Sequence, residues 1–458
     1  MTSGTVRTLA ALLLAASMAY VATAVSSAAV RPPRLQYEIT TLANGLTLVL
    51  EEDHSTPIVH LQLRYHVGSK NEKPGRTGFA HLFEHLMFKG SKNVEPEGHT
   101  SLISGIGGQS NAYTTDDETV FWETVPSQYL PMILWLEADR MATLRIDKDT
   151  FAPERDVVKE ERRMRIDNQP YGRLNEIIYA QTFTVHPYMH PTMGSMQDLE
   201  AASIEDVRDF YRTYYVPENA TMVLVGDFDS SQAVQLVNLY LGRVPKAEHP
   251  VPRDIPKEPP QTKEKRVTLQ EPWPLPAVVV AYHITYDGNP DSYPLHIASK
   301  VLSDGQSSRI YQKLVYEKQV AVAAFGSANL IEDPNIFYAV AIVQPGHTSE
   351  EAVRELIAEL DRLKVEPISP HELQRAKNQF ARDYILGRES NQQKASHLAH
   401  AVVIHHDIRT ADGEFDIFQN ITAADVQRVA RTYFTAENRT VLTLLPLGKA
   451  GAGAPIGR

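Results

Sequence analysis

The chain has 458 residues, a hydrophobic content of 43% and a formal net charge of −11, which together predict a globular protein of about two domains. This composition excludes a mainly disordered chain, because disordered chains lack enough apolar residues to build a core. The net negative charge and the lack of a cluster of Lys and Arg argue against a nucleic-acid partner, because phosphate binding depends on such clusters.

The N-terminus has the features of an export signal. Arg7 precedes an apolar run from Leu9 to Val25, and small residues offer cleavage after Ala24 or Ala29. We therefore predict a secretory signal peptide over residues 1–29 and a periplasmic location. An uncleaved membrane anchor is the alternative, because the apolar run approaches the length that spans a bilayer. The chain contains no cysteine, so we expect packing rather than disulfides to stabilise the exported protein.

The first elements after the leader have the pattern of strands. The segment LQYEITTLANGLTLVLEED places two apolar-rich runs around Asn44-Gly45, a dipeptide that predicts a β-hairpin. The next segment, IVHLQLRYHVGS, predicts a third strand, and a helix that carries HLFEH, from His81 to His85, follows it.

A repeat relates the two halves of the chain. The segment that starts at Ser203 matches the segment that starts at Thr422 without a gap, with Asp206 over Asp425, an offset of 219 residues. Each copy begins with a capping-box-like Ser or Thr, continues as an amphipathic helix, turns at Glu-Asn and ends in a β-branched strand. Chance similarity between two helix-turn-strand units is the alternative.

The repeat predicts an α+β fold with two homologous domains. We place the first domain at residues 35–245 and the second at 265–448, with a linker rich in proline and charge at 246–264 and a flexible tail at 449–458. The second copy has no HxxEH motif, and its corresponding region reads LHIASKVLSDG. Any metal chemistry therefore belongs to the first copy.

HLFEH has the spacing of a metal site. Because an α-helix turns about 100° per residue, His81 and His85 lie about 40° apart on one face and can reach one cation. Zinc binds imidazole and carboxylate ligands, and a catalytic zinc site combines three protein ligands with an open position for water. Glu84 lies beside the histidines, where a carboxylate that is not a ligand can take a proton from that water. Ordinary surface polar residues are the alternative interpretation.

A third ligand must come from elsewhere, and the segment APERDVVKEERRMRIDNQ offers several carboxylates on a predicted helix. Glu154 and Glu161 are seven residues apart, which places them two turns apart on one face. One of them can bind the metal while the other orients a ligating histidine. A solvated charged helix with internal ion pairs is the alternative.

The order His-x-x-Glu-His is the inverzincin signature, the reverse of the commoner zinc-protease motif. Through nearly all of its mature part, the chain resembles the inverzincin metallopeptidases of the pitrilysin and mitochondrial-processing-peptidase family. GFAHLFEHLMFKGS resembles the zinc helix of that family, GGQSNAYTTDDETVFWETVP its substrate-binding strand, and ERDVVKEERRMRIDN the helix with the third ligand. The resemblance implies two domains, each a mainly antiparallel sheet packed with helices, that together form half of a clam-shell chamber.

The resemblance implies a zinc endopeptidase with one Zn²⁺ per chain. His81, His85 and Glu161 would be the zinc ligands, and Glu84 would be the general base. Glu161 follows His85 by 76 residues, close to the spacing that the family uses, and the neighbouring Glu160 is the competing ligand. Glu154 would orient a ligating histidine without binding the metal itself.

The resemblance also implies how a substrate binds. In family members an extended peptide pairs with an edge strand at the Asn-Ala of the GGxxNAxT pattern, which here is Asn111 and Ala112. Main-chain hydrogen bonds then supply affinity with little demand on the peptide's sequence. An ordinary glycine turn is the alternative for GGQSNAY.

The second half departs from the family pattern at two positions. SSRIYQKLVYEKQVAVAAFG aligns with a family segment in which members that are complete in one polypeptide have an arginine and a tyrosine, and this chain has Val315 and Val322 there. Neither valine can donate a hydrogen bond to an oxyanion, and a missing donor costs about a hundredfold to a thousandfold in rate. We therefore expect a heterodimer with a homologous partner subunit that supplies Arg and Tyr. A non-catalytic peptide-binding or assembly subunit that retains a metal site is the alternative.

Overall fold

The computed structural model describes residues 31–447. The predicted signal peptide at 1–29 and the predicted tail at 449–458 lie outside the described residues. Among the helices of the described part, none is both long enough and apolar enough to cross a bilayer.

Strands and helices follow one another in groups along the described chain. The strands are β1 (Glu38–Thr41), β2 (Thr47–Glu52), β3 (Ile58–Tyr65), β4 (Gln109–Thr114), β5 (Thr119–Pro126), β6 (Ala220–Gly226), β7 (Lys265–Glu271), β8 (Ala277–His283), β9 (Ala321–Ala328), β10 (Ile336–Val343) and β11 (Arg439–Pro446). The helices are α1 (Phe79–Leu86), α2 (Gly98–Gly105), α3 (Leu130–Thr143), α4 (Lys148–Arg162), α5 (Leu174–Thr182), α6 (Met196–Ala201), α7 (Ile204–Tyr214), α8 (Ser230–Tyr240), α9 (Ser292–Ser303), α10 (Arg309–Tyr311), α11 (Ser349–Val365), α12 (Pro370–Leu386), α13 (Asn391–Val403), α14 (Thr410–Asn420) and α15 (Ala423–Tyr433).

The first sheet has the strand order β1-β2-β6-β3-β5-β4. Its neighbours pair antiparallel except β2 and β6, which are parallel. The predicted hairpin is confirmed, because Thr41 pairs with Thr47 across a turn in which Gly45 has a φ of 95°. Glycine adopts this left-handed conformation without the steric cost that a side chain brings. The predicted third strand is β3, and the predicted helix that carries HLFEH is α1.

The second sheet has the order β7-β11-β8-β10-β9, which repeats the topology of the first sheet without a counterpart of β1 among the described residues. Its single parallel pair, β7 and β11, corresponds to β2 and β6. The repeated segments form α7 with β6 and α15 with β11, and capping boxes at Ser203 and Thr422 begin both helices. The prediction of an α+β fold with two mainly antiparallel sheets packed with helices is confirmed.

One helix from each half of the chain packs on the sheet of the other half, an arrangement that we call the helix exchange. Ile177 and Ile178 of α5 are buried in one apolar cluster with Val279 of β8 and Leu442 of β11. In the opposite direction, α13 packs on β3 and β6, and Gln62 Nε2 donates to Ser396 Oγ at 3.0 Å. The boundaries at 35–245 and 265–448 remain a prediction, and they do not state which helices cover which sheet.

The segment at 246–264, predicted as a linker, contains no helix or strand in the structure, which describes all of it. It is nevertheless fastened to the rest of the protein. The carboxylate of Glu258 accepts hydrogen bonds from the backbone N–H groups of Val185 and His186, both at 2.9 Å. These contacts fix the course of the segment beside the end of α5.

Candidate metal centre

The start of α1 is held by a buried carboxylate. Glu72 accepts hydrogen bonds from the backbone N–H groups of Gly78 and Ala80, both at 2.8 Å, and so satisfies donors that have no partner within the helix. Burial raises the pKa of Glu72 despite these bonds. Gly78, which precedes the first residue of α1, has a φ of 92°. A Cβ at this position would lie 2.7 Å from the Met193 carbonyl oxygen, so the start of the helix requires glycine.

Aromatic packing fixes the rotation of α1. Leu82, Phe83 and Leu86 are fully buried, and the Phe83 ring stacks on Phe210 and Tyr215 with centroids 5.5 and 4.9 Å away. Because this face must remain in the core, the histidines and the glutamate of HLFEH are directed to the other side of the helix. The geometry of the motif therefore depends on the apolar residues between its polar ones.

His81, His85 and Glu161 converge. Glu161 Oε2 lies 3.3 Å from His81 Nε2 and 3.1 Å from His85 Nε2. One candidate ligand atom from each residue lies within 4.8 Å of the other two. Two imidazole nitrogens and one carboxylate oxygen form a donor set that fits zinc and leaves a fourth position open. Glu160 does not join this cluster, because its side chain is 57% exposed and contacts Arg163 at 3.0 Å.

Glu154 lies behind the histidines. Its Oε2 atom is 3.4 Å from His85 Nδ1, and its Oε1 atom is 3.0 Å from Lys89 Nζ. Burial raises the pKa of Glu154, but the hydrogen bonds and charges of His85 and Lys89 outweigh burial and lower it. A carboxylate at this place fixes the orientation and the tautomer of the imidazole ring.

The charges of the cluster stabilise one another. Hydrogen bonding to His81 lowers the pKa of Glu161 to about 2 against the opposing effect of burial, with further help from the charge of Arg165. Burial lowers the pKa of His81, but Glu161 and Glu84 outweigh it and raise the value to about 9. A metal ion at this place competes with the proton on His81, so its affinity depends on pH.

Glu84 connects the cluster to β4. Thr114 Oγ1 donates a hydrogen bond of 2.8 Å to Glu84 Oε2, and His81 Nδ1 lies 3.3 Å from the same oxygen. Thr114 is the last residue of β4. The carboxylate that could move a proton is therefore held beside the strand predicted to bind substrate.

β4 forms an edge of the first sheet and, within residues 31–447, pairs only with β5. Asn111 and Ala112 lie opposite Trp122 and Phe121 of β5. The N–H of Ala112 donates to the Asn111 side-chain oxygen at 2.9 Å. A peptide that paired with this edge would have to replace the Asn111 side chain as the partner of that N–H.

Two more contacts of the cluster were not predicted from the sequence. Arg165 Nη1 lies 2.7 Å from Glu161 Oε1, and Lys89 contacts Glu154. The spacing of four residues between Glu161 and Arg165 is a helical ion-pair signal that could have been used. Thr114 was also missed, although it ends the same GGQSNAYT stretch that contains the predicted substrate residues.

The two valines of the second half, Val315 and Val322, lie in different surroundings. Val315 lies in a π-helical turn, Gln312–Glu317, and packs against the second core. Val322 is the second residue of the edge strand β9 and is 44% exposed. Neither side chain supplies a polar atom to a reaction centre.

Comparison with known proteins gives consistent matches along the chain. The family model described as Insulinase (Peptidase family M16) matches residues 47–196, and the model described as Peptidase M16 inactive domain matches residues 201–380. The chain is 31% identical over 414 residues to the zinc protease PqqE of Helicobacter pylori, covering 90% of this chain and 93% of that protein.

Two solved structures have a similar fold. The crystal structure of a protease from Helicobacter pylori matches with a TM-score of 0.86 at 31% identity and covers 90% of this chain and 100% of that one. The periplasmic protease PqqL from Escherichia coli matches with a TM-score of 0.72 at 17% identity and covers 90% of this chain but 48% of that one. The sequence and the fold thus point to the same set of relatives.

Proposed function

The chain belongs to the M16 family of peptidases, the insulinase family, and on that premise we propose that it is a zinc-dependent endopeptidase acting on peptides or unfolded polypeptide segments. The observation that carries this proposal is the convergence of His81, His85 and Glu161 next to Glu84, whose carboxylate is held by Thr114. A relative named as a zinc protease that aligns over most of both chains supports the same chemistry.

His81, His85 and Glu161 would hold one catalytic zinc ion, which supplies Lewis acidity and an activated water. The Glu84 carboxylate is the group of this chain that would act as general base and acid, holding a proton and passing it on. The hydrogen bond from Thr114 keeps this carboxylate directed into the site. Glu154 orients His85 through Nδ1, and Lys89 holds Glu154 from the other side.

A substrate would bind as an added strand on β4. The open edge at Asn111 and Ala112 offers main-chain groups to an extended peptide. Binding of this kind recognises the backbone of the peptide more than its side chains. An unfolded segment satisfies that requirement, whereas a folded domain has its backbone groups already paired.

Catalysis would require a homologous partner subunit. Val315 and Val322 stand where members complete in one polypeptide have Arg and Tyr, and a lost oxyanion donor costs about a hundredfold to a thousandfold in rate. The chain spans 48% of the length of PqqL, which leaves room in that polypeptide for a second unit of similar size. We propose a heterodimer in which this chain carries the zinc and forms one half of a clam-shell chamber.

The same two valines favour a second candidate function, a non-catalytic peptide-binding or assembly subunit that has kept its metal site. The intact set of His81, Glu84, His85 and Glu161 favours the enzyme, because a binding subunit has no need of a general base.

We also propose that the leader at 1–29 sends the protein to the periplasm, the location printed for PqqL. Within the exported part, we propose a metal-bearing domain at 35–245, a linker at 246–264 and a second domain at 265–448.

The test measures hydrolysis of an unstructured peptide by the purified mature chain with zinc, first alone and then with the homologous chain that carries Arg and Tyr. We expect weak or no turnover alone and a rise of a hundredfold or more with the partner. Full activity of the isolated chain would refute the need for a partner. Peptide binding without turnover in both mixtures would favour the non-catalytic subunit.

A further inference from the structure

A second set of two histidines and one carboxylate lies far along the chain from the first. Asp287 lies in the loop between β8 and α9, His400 lies in the last turn of α13, and His405 follows the end of that helix. One candidate ligand atom from each of the three lies within 4.8 Å of the other two. Asp287 Oδ2 is 2.8 Å from His400 Nε2 and 3.1 Å from His405 Nε2. The arrangement repeats that of Glu161 with its two imidazoles.

The His405 ring is held in a fixed orientation. Its side chain is 3% exposed, and its Nδ1 atom lies 2.9 Å from Thr410 Oγ1. Gly288 packs on the ring, where a Cβ would lie 3.2 Å from His405 Cδ2. The other ring nitrogen, Nε2, is buried and has no partner with hydrogen-bond geometry within residues 31–447, although it lies close to the Asp287 carboxylate. A buried imidazole nitrogen that faces a carboxylate in this way is suited to metal coordination.

The surroundings favour a cation. Burial and the charge of Asp287 raise the pKa of the nearby Glu414, while His405 and His400 lower it. Burial also raises the pKa of Asp287, but the hydrogen bond with His400 and the charges of His400 and His405 outweigh burial and hold that pKa well below its usual range. Two carboxyl groups and two imidazoles thus share one partly buried space, where electrostatic interactions are stronger than in water.

We propose that Asp287, His400 and His405 form a second metal site, which binds a divalent first-row transition metal such as zinc in a structural role. Imidazole nitrogens and one carboxylate oxygen suit zinc, and they suit the hard cations Mg²⁺ and Ca²⁺ poorly. Glu414 is the nearby carboxyl group that could complete the site. This inference is independent of the proposed peptidase activity, because it uses other residues and another loop.

The position of the site suggests what a bound ion would stabilise. Helix α13 packs on the first sheet, while Asp287 belongs to the loop after β8 of the second sheet. An ion held by Asp287, His400 and His405 would connect the end of α13 to the second half of the chain, the half to which α13 belongs. Because such an ion binds the folded state and not the unfolded one, it raises the stability of the fold.

The test counts zinc bound by the full mature chain after dialysis, by elemental analysis, and uses His85→Ala to disable the first site. We expect two zinc ions per wild-type chain, one in His85→Ala and none in His85→Ala/Asp287→Asn. His347→Ala is the matched control, because the side chain of this exposed histidine pairs with Glu351, far along the chain from both proposed sites. We expect this variant to keep two ions.

A second measurement reads the site without altering its ligands. Added zinc raises the Tm of His85→Ala, and added Co²⁺ gives the visible d–d absorption bands of a protein-bound cobalt ion. A His85→Ala protein that binds no zinc and shows neither effect would overturn the proposal. If the first site were the one that failed, wild type and His85→Ala would each bind one ion, so the two failures are distinguishable.

Discussion

Replacing Glu154 with glutamine removes the charge behind His85 while keeping the shape of the side chain. Glu154 Oε2 lies 3.4 Å from His85 Nδ1, and the side chain is 8% exposed. A glutamine presents a weaker acceptor there and can also present its NH₂ group, so the ring loses the partner that fixes its tautomer. Lys89 keeps a second carboxylate partner in Glu97, so the substitution leaves no buried charge unpaired.

The expected loss is in metal affinity. Removal of such a supporting carboxylate costs about tenfold to a hundredfold in metal affinity, or about 1.4 to 2.7 kcal/mol of binding free energy. The ligands His81, His85 and Glu161 remain, so peptide hydrolysis at saturating zinc changes much less than the affinity does. The loss therefore disappears as the zinc concentration is raised.

Competition with a chromophoric chelator measures the zinc Kd of Glu154→Gln, and peptide hydrolysis is followed across a zinc titration. Glu160→Gln is the matched control, because Glu160 lies on the same helix with a side chain that is 57% exposed and should bind zinc as the wild type does. An unchanged Kd in Glu154→Gln, or an equal loss in the control, would refute the role assigned to Glu154.

Three further predictions concern substrate binding, the helix exchange and pH. Ala112→Pro removes the main-chain donor on the open edge of β4 and should weaken peptide binding at least tenfold without changing zinc content; unaltered peptide affinity would exclude this edge as the binding strand. Ile178→Ala should lower the free energy of unfolding by about 2 to 5 kcal/mol, because Ile178 is fully buried in α5 against the second sheet; a loss below about 1 kcal/mol in a denaturant titration would show that the exchanged helix contributes little. Burial lowers the pKa of His60 to about 3 in the folded chain, whereas the pKa of this histidine is about 6.5 in the unfolded chain. Below about pH 6.5 the unfolded chain therefore binds a proton at His60 that the folded chain does not bind. The free energy of unfolding thus falls as the pH is lowered from about 6.5. At pH 5 the cost is about 2 kcal/mol, and His60→Gln should reduce the stability difference between pH 7 and pH 5 by that amount in urea titrations; an identical pH dependence in both proteins would contradict it.

Local patterns predicted the elements that carry the candidate site. The Asn44-Gly45 dipeptide predicted the hairpin because its backbone conformation suits the turn, and the HLFEH spacing predicted one helical face for two imidazoles. The interval of seven residues predicted that Glu154 and Glu161 share a face of α4, and both do contact the histidines. These are short-range relations, which helix and turn geometry determine.

The long-range relations could not be predicted in this way. An amphipathic pattern states that α5 and α13 each bury a face, but not which sheet covers it, so the exchange between the halves was missed. The cluster at Asp287 was missed for a related reason, because its ligands come from a loop and from a helix end more than a hundred residues later. Thr114 reaches Glu84 only because β4 ends beside α1, which depends on the packing of the whole sheet.

The most direct test of the account compares wild type with Glu84→Gln for both bound zinc and hydrolysis of an unstructured peptide, in the presence of the homologous partner. The account predicts equal zinc content and a loss of hydrolysis of about a hundredfold or more, since a general base contributes about that much. Equal hydrolysis by the two proteins would contradict the role of Glu84 and, with it, the proposed mechanism.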